Sequence, residues 1–379
     1  MYHYCLFIFF CFFLVLGSCN VDNQNTRLNV LTLDFKEQGS DPYDLLATNY
    51  IKLKADEKLI EESIIQVDYA LNKIFILTEG PDAYLSAFDL SGNFISQIGS
   101  RGKEKGQFVM ANSFSIDEEA GLISIVDFVQ KKVVNYSLYS YNFITEINLP
   151  IRSTSFEYLD DKQYLIKNVD DEPNHKEWEF LLSNRKMAVT NTYIKKISSL
   201  PQNFKKTIYK SQGNIHAYAQ LNPIVYSFND NKFEPVYNLR FGNFELPPKE
   251  YLDKLSDKKE GALKTLRNSE YISHYDILET GNILNTYYTV SNQHFLGLYN
   301  KRSGETLGFT TKIFEDKMKI GGMSKPVGRI NEFIVATLLP SDLRNKKNAG
   351  YDLDLELECL LDRESTDNSP ILFLYKFKI

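Results

Sequence analysis

The hydrophobic positions of this chain fall into short runs broken by turn residues, and the order of the runs recurs. Ile64-Ile65-Gln66-Val67-Asp68 is followed by Lys73-Ile74-Phe75-Ile76-Leu77-Thr78, then Leu85-Ser86-Ala87-Phe88-Asp89, then Asn93-Phe94-Ile95-Ser96-Gln97-Ile98. Roughly 48 residues later the same order returns. It reads Phe114-Ser115-Ile116-Asp117, Leu122-Ile123-Ser124-Ile125-Val126-Asp127, Val133-Val134-Asn135-Tyr136 and Asn142-Phe143-Ile144-Thr145-Glu146-Ile147. Runs of this length, rich in β-branched and aromatic residues and bounded by Gly, Asn and Asp, are β-strands. Between the two units, Gly99, Gly102 and Gly106 punctuate a tight connector that ends at Phe108.

Later units are more degenerate. A third starts near Phe156 and continues through Tyr164-Leu165-Ile166, Phe180-Leu181-Leu182 and Lys186-Met187-Ala188-Val189. A fourth has Ile215-His216-Ala217-Tyr218 and Ile224-Val225-Tyr226-Ser227-Phe228, with Asn229-Asp230-Asn231-Lys232 turning into Phe233-Glu234-Pro235-Val236-Tyr237. A fifth has Tyr287-Tyr288-Thr289-Val290 and Phe295-Leu296-Gly297-Leu298-Tyr299, and a turn at Asn300-Lys301-Arg302-Ser303-Gly304 that leads into Glu305-Thr306-Leu307-Gly308. A sixth contains Glu332-Phe333-Ile334-Val335-Ala336-Thr337. A lone four-stranded sheet cannot bury both faces, so repeats of this kind must pack against one another. The expectation is an all-β fold, a six-bladed β-propeller of four-stranded antiparallel blades, with seven blades as the alternative count. A ring of sheets must also close on itself. Ile371-Leu372-Phe373-Leu374-Tyr375-Lys376-Phe377 is the expected terminal strand, with Tyr50-Ile51-Lys52-Leu53 beside it in the last blade.

Two segments break the β pattern. Pro247-Pro248-Lys249 sets proline at a helix start, and Leu252, Leu255, Leu263 and Leu266 would line one apolar face. A helical insertion near residues 247–267 follows from that spacing. Another helical stretch is expected after Pro340, where Leu355, Leu357, Leu360 and Leu361 stand among acidic residues.

The N-terminus sets the compartment. Residues 4–16 are almost wholly apolar and uncharged; at about 1.5 Å per residue they fall short of the ~30 Å hydrocarbon core. A run of this length is a secretory leader segment rather than a spanning helix. Leu16-Gly17-Ser18-Cys19 resembles the lipobox of bacterial lipoproteins, although the leader carries no Lys or Arg. That resemblance implies cleavage before Cys19 and lipidation of Cys19. The expected organisation is a leader at 1–18, a solvated tether at 19–41 and the propeller at 42–379. Of the four cysteines, only Cys359 would remain free, so no disulfide framework exists in the mature chain. The net charge of −6 and the lack of a basic stripe argue against nucleic acid as a partner.

The blade order resembles the NHL type. Together with the lipobox, further points resemble the six-bladed β-propeller lipoproteins of Bacteroidetes. They are the 99–108 connector, Tyr226-Ser227-Phe228, Phe241-Gly242 ahead of Leu246-Pro247, Gly321-Gly322, Leu338-Leu339-Pro340-Ser341-Asp342-Leu343 and Asp367-Asn368-Ser369-Pro370. In the last, Ser369 is inserted relative to the family's Asp-Asn-Pro signature. The resemblance implies fold and anchoring in the bacterial envelope more than it implies activity.

Candidate chemistry is sparse. The glycine connector leads into a strand, whereas a phosphate cradle needs its glycines to open a helix. Asp68, Asp117, Asp160 and Asp161 could gather around a channel metal as in lactonase-type propellers, but each also suits a strand-end turn. His175, His216, His274 and His294 show no metal-ligand spacing, and no Gly-x-Ser-x-Gly elbow occurs. Most of the 24 Tyr and 26 Phe are expected to fill the wedges between blades, and Trp178 is the best candidate for stacking on a sugar. The reading is therefore an envelope-anchored, non-catalytic binding or interaction module with no cofactor and no bound metal. Its partner would be a glycan or an envelope protein, and the membrane would be met through the N-terminal lipid. The binding face would be at the channel mouth and blade junctions, with Arg101, Lys103 and Trp178. A metal-dependent propeller hydrolase or lyase is the competing reading.

Overall fold

The computed structural model describes residues 30–36, 42–54, 63–80, 83–159, 163–169, 173–198, 200, 206–258, 261–362 and 368–378. Cys19, Asp160 and Asp161, which the sequence singles out, lie outside these residues. The described chain opens with β1 (Leu31–Asp34), a one-turn helix α1 (Pro42–Leu45) and β2 (Leu46–Lys52), none of which belongs to the first blade.

Blade 1 is β3 (Ser63–Ala70), β4 (Lys73–Glu79), β5 (Leu85–Asp89) and β6 (Phe94–Ile98), each strand antiparallel to the next. The turn from β3 to β4 uses Leu71 and Asn72, both at positive φ, which matches the right-handed twist of the strands it joins. Blade 2 follows as β7 (Ala111–Asp117), β8 (Leu122–Asp127), β9 (Lys132–Ser137) and β10 (Phe143–Asn148). Between the blades, Gly99 has φ +70°, and a Cβ there would lie 2.3 Å from the Tyr136 hydroxyl oxygen. That hydroxyl donates to the Gly106 carbonyl at 2.6 Å, so the glycine connector is clamped onto blade 2. Both units occupy the runs read from the sequence, and the connector enters β7 rather than a helix.

Blade 3 is β11 (Phe156–Tyr158), β12 (Gln163–Lys167), β13 (Trp178–Asn184) and β14 (Val189–Lys195). Its fourth strand starts at Val189; Lys186 and Met187 form the turn before it. Blade 4 is β15 (Ile208–Ser211), β16 (Asn214–Tyr218), β17 (Ile224–Asn229) and β18 (Lys232–Arg240). Two helices, α2 (Lys249–Ser256) and α3 (Ala262–Arg267), lead to blade 5, bringing Leu252, Leu255 and Leu266 into a buried cluster with Leu200 and Leu221. The insertion is thus helical as expected, but in two pieces. Blade 5 is β19 (Ile272–Glu279), β20 (Ile283–Val290), β21 (Gln293–Asn300) and β22 (Thr306–Thr310).

A helix that the sequence pattern did not reveal, α4 (Thr311–Met318), is capped by the Thr310 hydroxyl accepting from the Ile313 N–H at 3.2 Å. Blade 6 then combines β23 (Gly328–Ile330), β24 (Phe333–Leu338), β25 (Ile371–Phe377) and, as its outermost strand, β2 from the other end of the chain. Between β24 and β25 lie α5 (Pro340–Asn348) and α6 (Leu355–Asp362). The helical stretch expected after Pro340 is thus present in two pieces; Leu357 and Leu361 of α6 are buried, whereas Leu355 is 79% exposed.

Six blades close the ring. The closure is N-terminal strand against C-terminal strand, with β2 and β25 paired antiparallel over the whole of β2. On the inner wall, Gly328 of β23 pairs parallel with Val67 of β3, and a Cβ at Gly328 would fall 1.8 Å from the Val67 carbonyl oxygen. Only glycine lets blades 6 and 1 approach so closely.

The folded part begins earlier than the expected boundary at residue 42. β1 adds a fifth strand, parallel, to the outer edge of β18. Phe35 then buries itself against Phe241 and over Gly297, where a Cβ would lie 2.5 Å from the Phe35 ring. The expected tether therefore ends in a strap that touches blades 4 and 5 before β2 completes blade 6. The physical reason is a sheet edge: β18 offered unpaired backbone groups, and Leu33 and Phe35 gained burial by covering them.

Candidate functional site

The innermost strands of the six blades line one central cavity of about 680 Å³. Its wall carries acidic and basic side chains in equal number, five of each. Half of these charges, Asp68, Glu157, Lys206, Lys210 and Arg329, form ion pairs that run between blades.

Glu157 of β11 is buried and lies between two lysines of blade 4, 3.5 Å from Lys206 and 3.7 Å from Lys210. Burial pushes its carboxyl above the ordinary range, and the two ammonium groups pull it back. Lys210 continues to Asp117 of blade 2 at 3.4 Å, and Lys206 donates to the Phe114 carbonyl there at 2.9 Å. The same carbonyl accepts from the Gln66 amide of blade 1 at 2.8 Å. Asp68 of blade 1 faces Arg329 of blade 6 at 3.7 Å, and Arg329 donates to the Glu279 carbonyl of blade 5 at 3.1 Å. Glu279 in turn accepts from Lys301 at 2.6 Å and from the Tyr209 hydroxyl at 2.7 Å. All six blades are joined by this lattice.

His216 stacks on Tyr209 at 5.5 Å, with Tyr237 on its other side at 6.5 Å. Its Nδ1 is 3.7 Å from Glu279, beyond hydrogen-bond reach, and burial holds the imidazole below its usual pKa despite that carboxylate. Burial likewise raises the Tyr209 hydroxyl well above the phenol range.

The end of the cavity where the inner strands begin has a different character. Met110 and Val129 are 38% and 51% exposed there, beside Val109 and Pro326. Arg101 and Lys325 line the same rim, and neither has an ion-pair partner among the described residues. The site is a cup: charges knitted together at depth, apolar surface and free cations at the mouth.

A second, smaller cavity of about 270 Å³ lies between blades 3–5 and the helical insertion. The β19–β20–β21 register sets His274 opposite Thr289 and Thr289 opposite His294. The Thr289 hydroxyl is 3.0 Å from His294 Nδ1, while His274 lies 3.0 Å from Asp276 and 3.1 Å from the Gln220 amide. Glu179 forms part of this wall and is ion-paired with Lys167, both fully buried. Linear spacing hides the placing of His274 and His294 on either side of Thr289, because it arises across strands.

Of the three residues picked from sequence for the binding face, Arg101 reaches the cup. Lys103 is exposed on the connector but is not part of the cup wall. Trp178 is half-buried at the start of β13, under the Lys195 ammonium at 5.7 Å from the ring. Asp68 and Asp117 stand at the cup with basic partners, and Asp117 also accepts from the Ala120 N–H at 2.9 Å, the strand-end role. Among the described residues no three His, Cys, Asp or Glu side chains are grouped to hold a metal ion, and Cys359 is free and exposed. No helix among them is long and apolar enough to cross a membrane. Sequence reasoning missed Lys206, Lys210, Glu157, Glu279 and Arg329. The signal was there in Phe156-Glu157-Tyr158, where an acid interrupts an aromatic strand.

The fold and its axial cup define a six-bladed β-propeller. The chain belongs to the DUF5128 family, described as 6-bladed beta-propeller, whose model matches residues 20–337. Among solved structures, a candidate exported protein from Bacteroides fragilis is 25% identical, with a TM-score of 0.85 over 92% of this chain and 100% of that one. A DUF4221 family member from Bacteroides vulgatus shares the fold at 11% identity, with a TM-score of 0.51 over 89% of this chain and 99% of that one. No curated protein matches the chain.

Proposed function

We propose that this protein is a binding module of the bacterial envelope, anchored through lipidated Cys19, whose ligand or partner enters the mouth of the axial cup. The observation that carries this reading is the contrast within the cup. Deep charges are neutralised, Glu157, Asp117 and Asp68 by cations of other blades and Glu279 by Lys301 of its own, whereas the rim keeps Arg101 and Lys325 unpaired beside exposed Met110 and Val129. Concave sites with apolar walls and a few convergent polar groups are the usual form of a ligand pocket, and this cavity falls within the typical size range. Export is supported by the leader-like N-terminus and by the description of the Bacteroides fragilis relative. A glycan or an envelope-protein segment is the partner class sought. A hydrolase reading would require Asp68 and Asp117 to leave Arg329 and Lys210 for a metal.

The test compares the mature chain with an Ala83→Trp/Val129→Trp variant, in which two rim positions are filled. Glycan and envelope-protein binding that disappears in the filled variant supports the cup as the site. Binding that persists unchanged places the site elsewhere and sinks the proposal. Lipidation is checked separately, by the mass of the N-terminal peptide; an unmodified Cys19 removes the anchor.

A further inference from the structure

The inner strands carry a shared irregularity. The pairing of β3 with β4 skips Ile65, and that of β7 with β8 skips Asn112, so both residues sit at bulges. A bulge re-aims the extra side chain, and here both extra side chains join the cup wall. In blade 1 the bulged residue is apolar. In blade 2 it is Asn112, 7% exposed, whose amide oxygen has no hydrogen-bond partner. A buried acceptor left without a donor is costly unless something supplies one.

Three features then converge on one mouth. Asn112 Oδ1 wants an N–H or O–H donor; Arg101 and Lys325 want an anion; Met110, Val129, Val109 and Pro326 offer apolar contact. One free carboxylate, Glu79, also lines the rim, so the unpaired charges there sum to positive. Resting on the cup as the binding site, we infer that it recognises an amide-linked carboxylate with an apolar side chain, the chemistry of an N-acylated amino acid. The Asn112 side chain, whose oxygen is closed to solvent in the free protein, turns toward the cavity to accept from the amide N–H, the carboxylate meets Arg101 and Lys325, and the ligand's side chain covers Met110 and Val129. Two sources present this group: a free N-acyl amino acid and the C-terminal residue of a peptide.

The experiment is calorimetric titration of the mature chain with acetyl-leucine, its neutral counterpart acetyl-leucine amide, and the peptide acetyl-Ala-Ala-Leu with a free C-terminus. Acetyl-leucine is expected to bind at least about tenfold more tightly than the amide, a difference of about 1.4 kcal/mol. Arg101→Gln or Lys325→Gln should remove most of that preference. Both residues are on the rim, so neither change threatens the fold. N-methylation of the acetyl-leucine amide nitrogen tests Asn112 without altering the protein and should weaken binding similarly. Tighter binding of the peptide than of acetyl-leucine identifies a protein C-terminus as the source; equal binding identifies the free acyl amino acid. If the amide binds as well as the acid, and both are lost in the Ala83→Trp/Val129→Trp variant, the cup stands and the carboxylate inference falls. If acetyl-leucine does not bind at millimolar concentration, the inference falls too. The cup reading is then judged on the glycan and envelope-protein screens alone.

Discussion

Blades 1 and 2 and blades 4 to 6 follow the same plan but are held in place differently. The first two are continuous pieces of chain, joined by a ten-residue glycine connector at 99–108 and packed on each other through Phe75, Phe108, Phe114 and Tyr136. Within each of them every strand lies beside its sequence neighbour, and the distant strand that blade 1 meets is β23, at the closure of the ring. Blades 4 to 6 depend on chain that arrives from far away. β1 extends blade 4, Phe35 covers blade 5, and β2 supplies a quarter of blade 6. Contacts of this separation form only after a large loop-closure cost, so the late half of the ring is secured by its N-terminal brace. One half is specified by repeat, the other by closure.

Removing the Phe35 side chain should expose that dependence most strongly. Phe35 is 1% exposed, and Phe35→Ala is expected to cost about 3–5 kcal/mol, read as a lower urea midpoint. Leu90→Ala on blade 1, where the side chain is 44% exposed, should stay within about 0.5 kcal/mol. Gly297→Ala should be less damaging in the Phe35→Ala background than alone, because one of its two clashes is with the missing ring. Additive costs would mean that the strap does not press on blade 5. On the repeat side, the counterpart is Gly99→Ala. A left-handed backbone and contact with the Tyr136 hydroxyl together predict a loss of about 2–4 kcal/mol. Tyr136→Phe in the same chain should recover only part of the steric cost, because the ring carbon that bore the hydroxyl, 2.7 Å from the added Cβ, and Phe108, 2.9 Å away, both remain.

The comparison also governs what the sequence reveals. Blades 1 and 2 are legible because all four strands of each carry apolar runs, and several turns between them hold a residue that positive φ favours, as at Asn72, Gly92 and Gly121. In blades 4 and 5 the innermost strands, β15 and β19, escape notice. Tyr209, Lys210, Asp276 and Glu279 interrupt any apolar pattern, since these strands face a polar cavity on one side. The residues that build the cup are therefore those that erase the strand signal. β1 is hidden for another reason: its partner β18 is two hundred residues away, and a four-residue strand has too little pattern to be seen alone. Arg101 was found only because it lies in the connector, whereas Lys206 and Arg329 gain meaning from blades that meet across the axis.

A smaller, pH-dependent effect separates the two halves. The described histidines all lie at or after blade 3, and burial holds His216 and His294 below their usual pKa. A lowered folded-state pKa means that stability is full above the unfolded value near 6.5 and is lost as pH falls through the folded one. Glu157 works the other way: its raised pKa favours the folded state at low pH and loses that benefit as pH rises. Melting temperature should therefore fall between pH 7 and pH 5, and fall less in His216→Phe, which keeps the stack between Tyr209 and Tyr237. An identical fall in the variant would show that His216 is not the group being protonated.

The smallest effect expected belongs to the charge lattice itself, at Lys210. Its side chain is 33% exposed, and its partner Asp117 is 24% exposed, so solvent screens that pair and about 0.2–1 kcal/mol is at stake. Glu157 is a buried acid and would be left in difficulty by Lys210→Gln alone, except that Lys206 stays 3.5 Å away. A buried charge that keeps one close cation does not pay the penalty of an orphaned one. Lys210→Gln should hence lower stability by less than about 1 kcal/mol, while Lys206→Gln/Lys210→Gln should lose more than the two single changes add to. That excess is the measure of how far the lattice acts as one unit. Simple additivity in the double variant would mean that blades 2, 3 and 4 are held by packing alone, and that the charges serve the ligand rather than the ring.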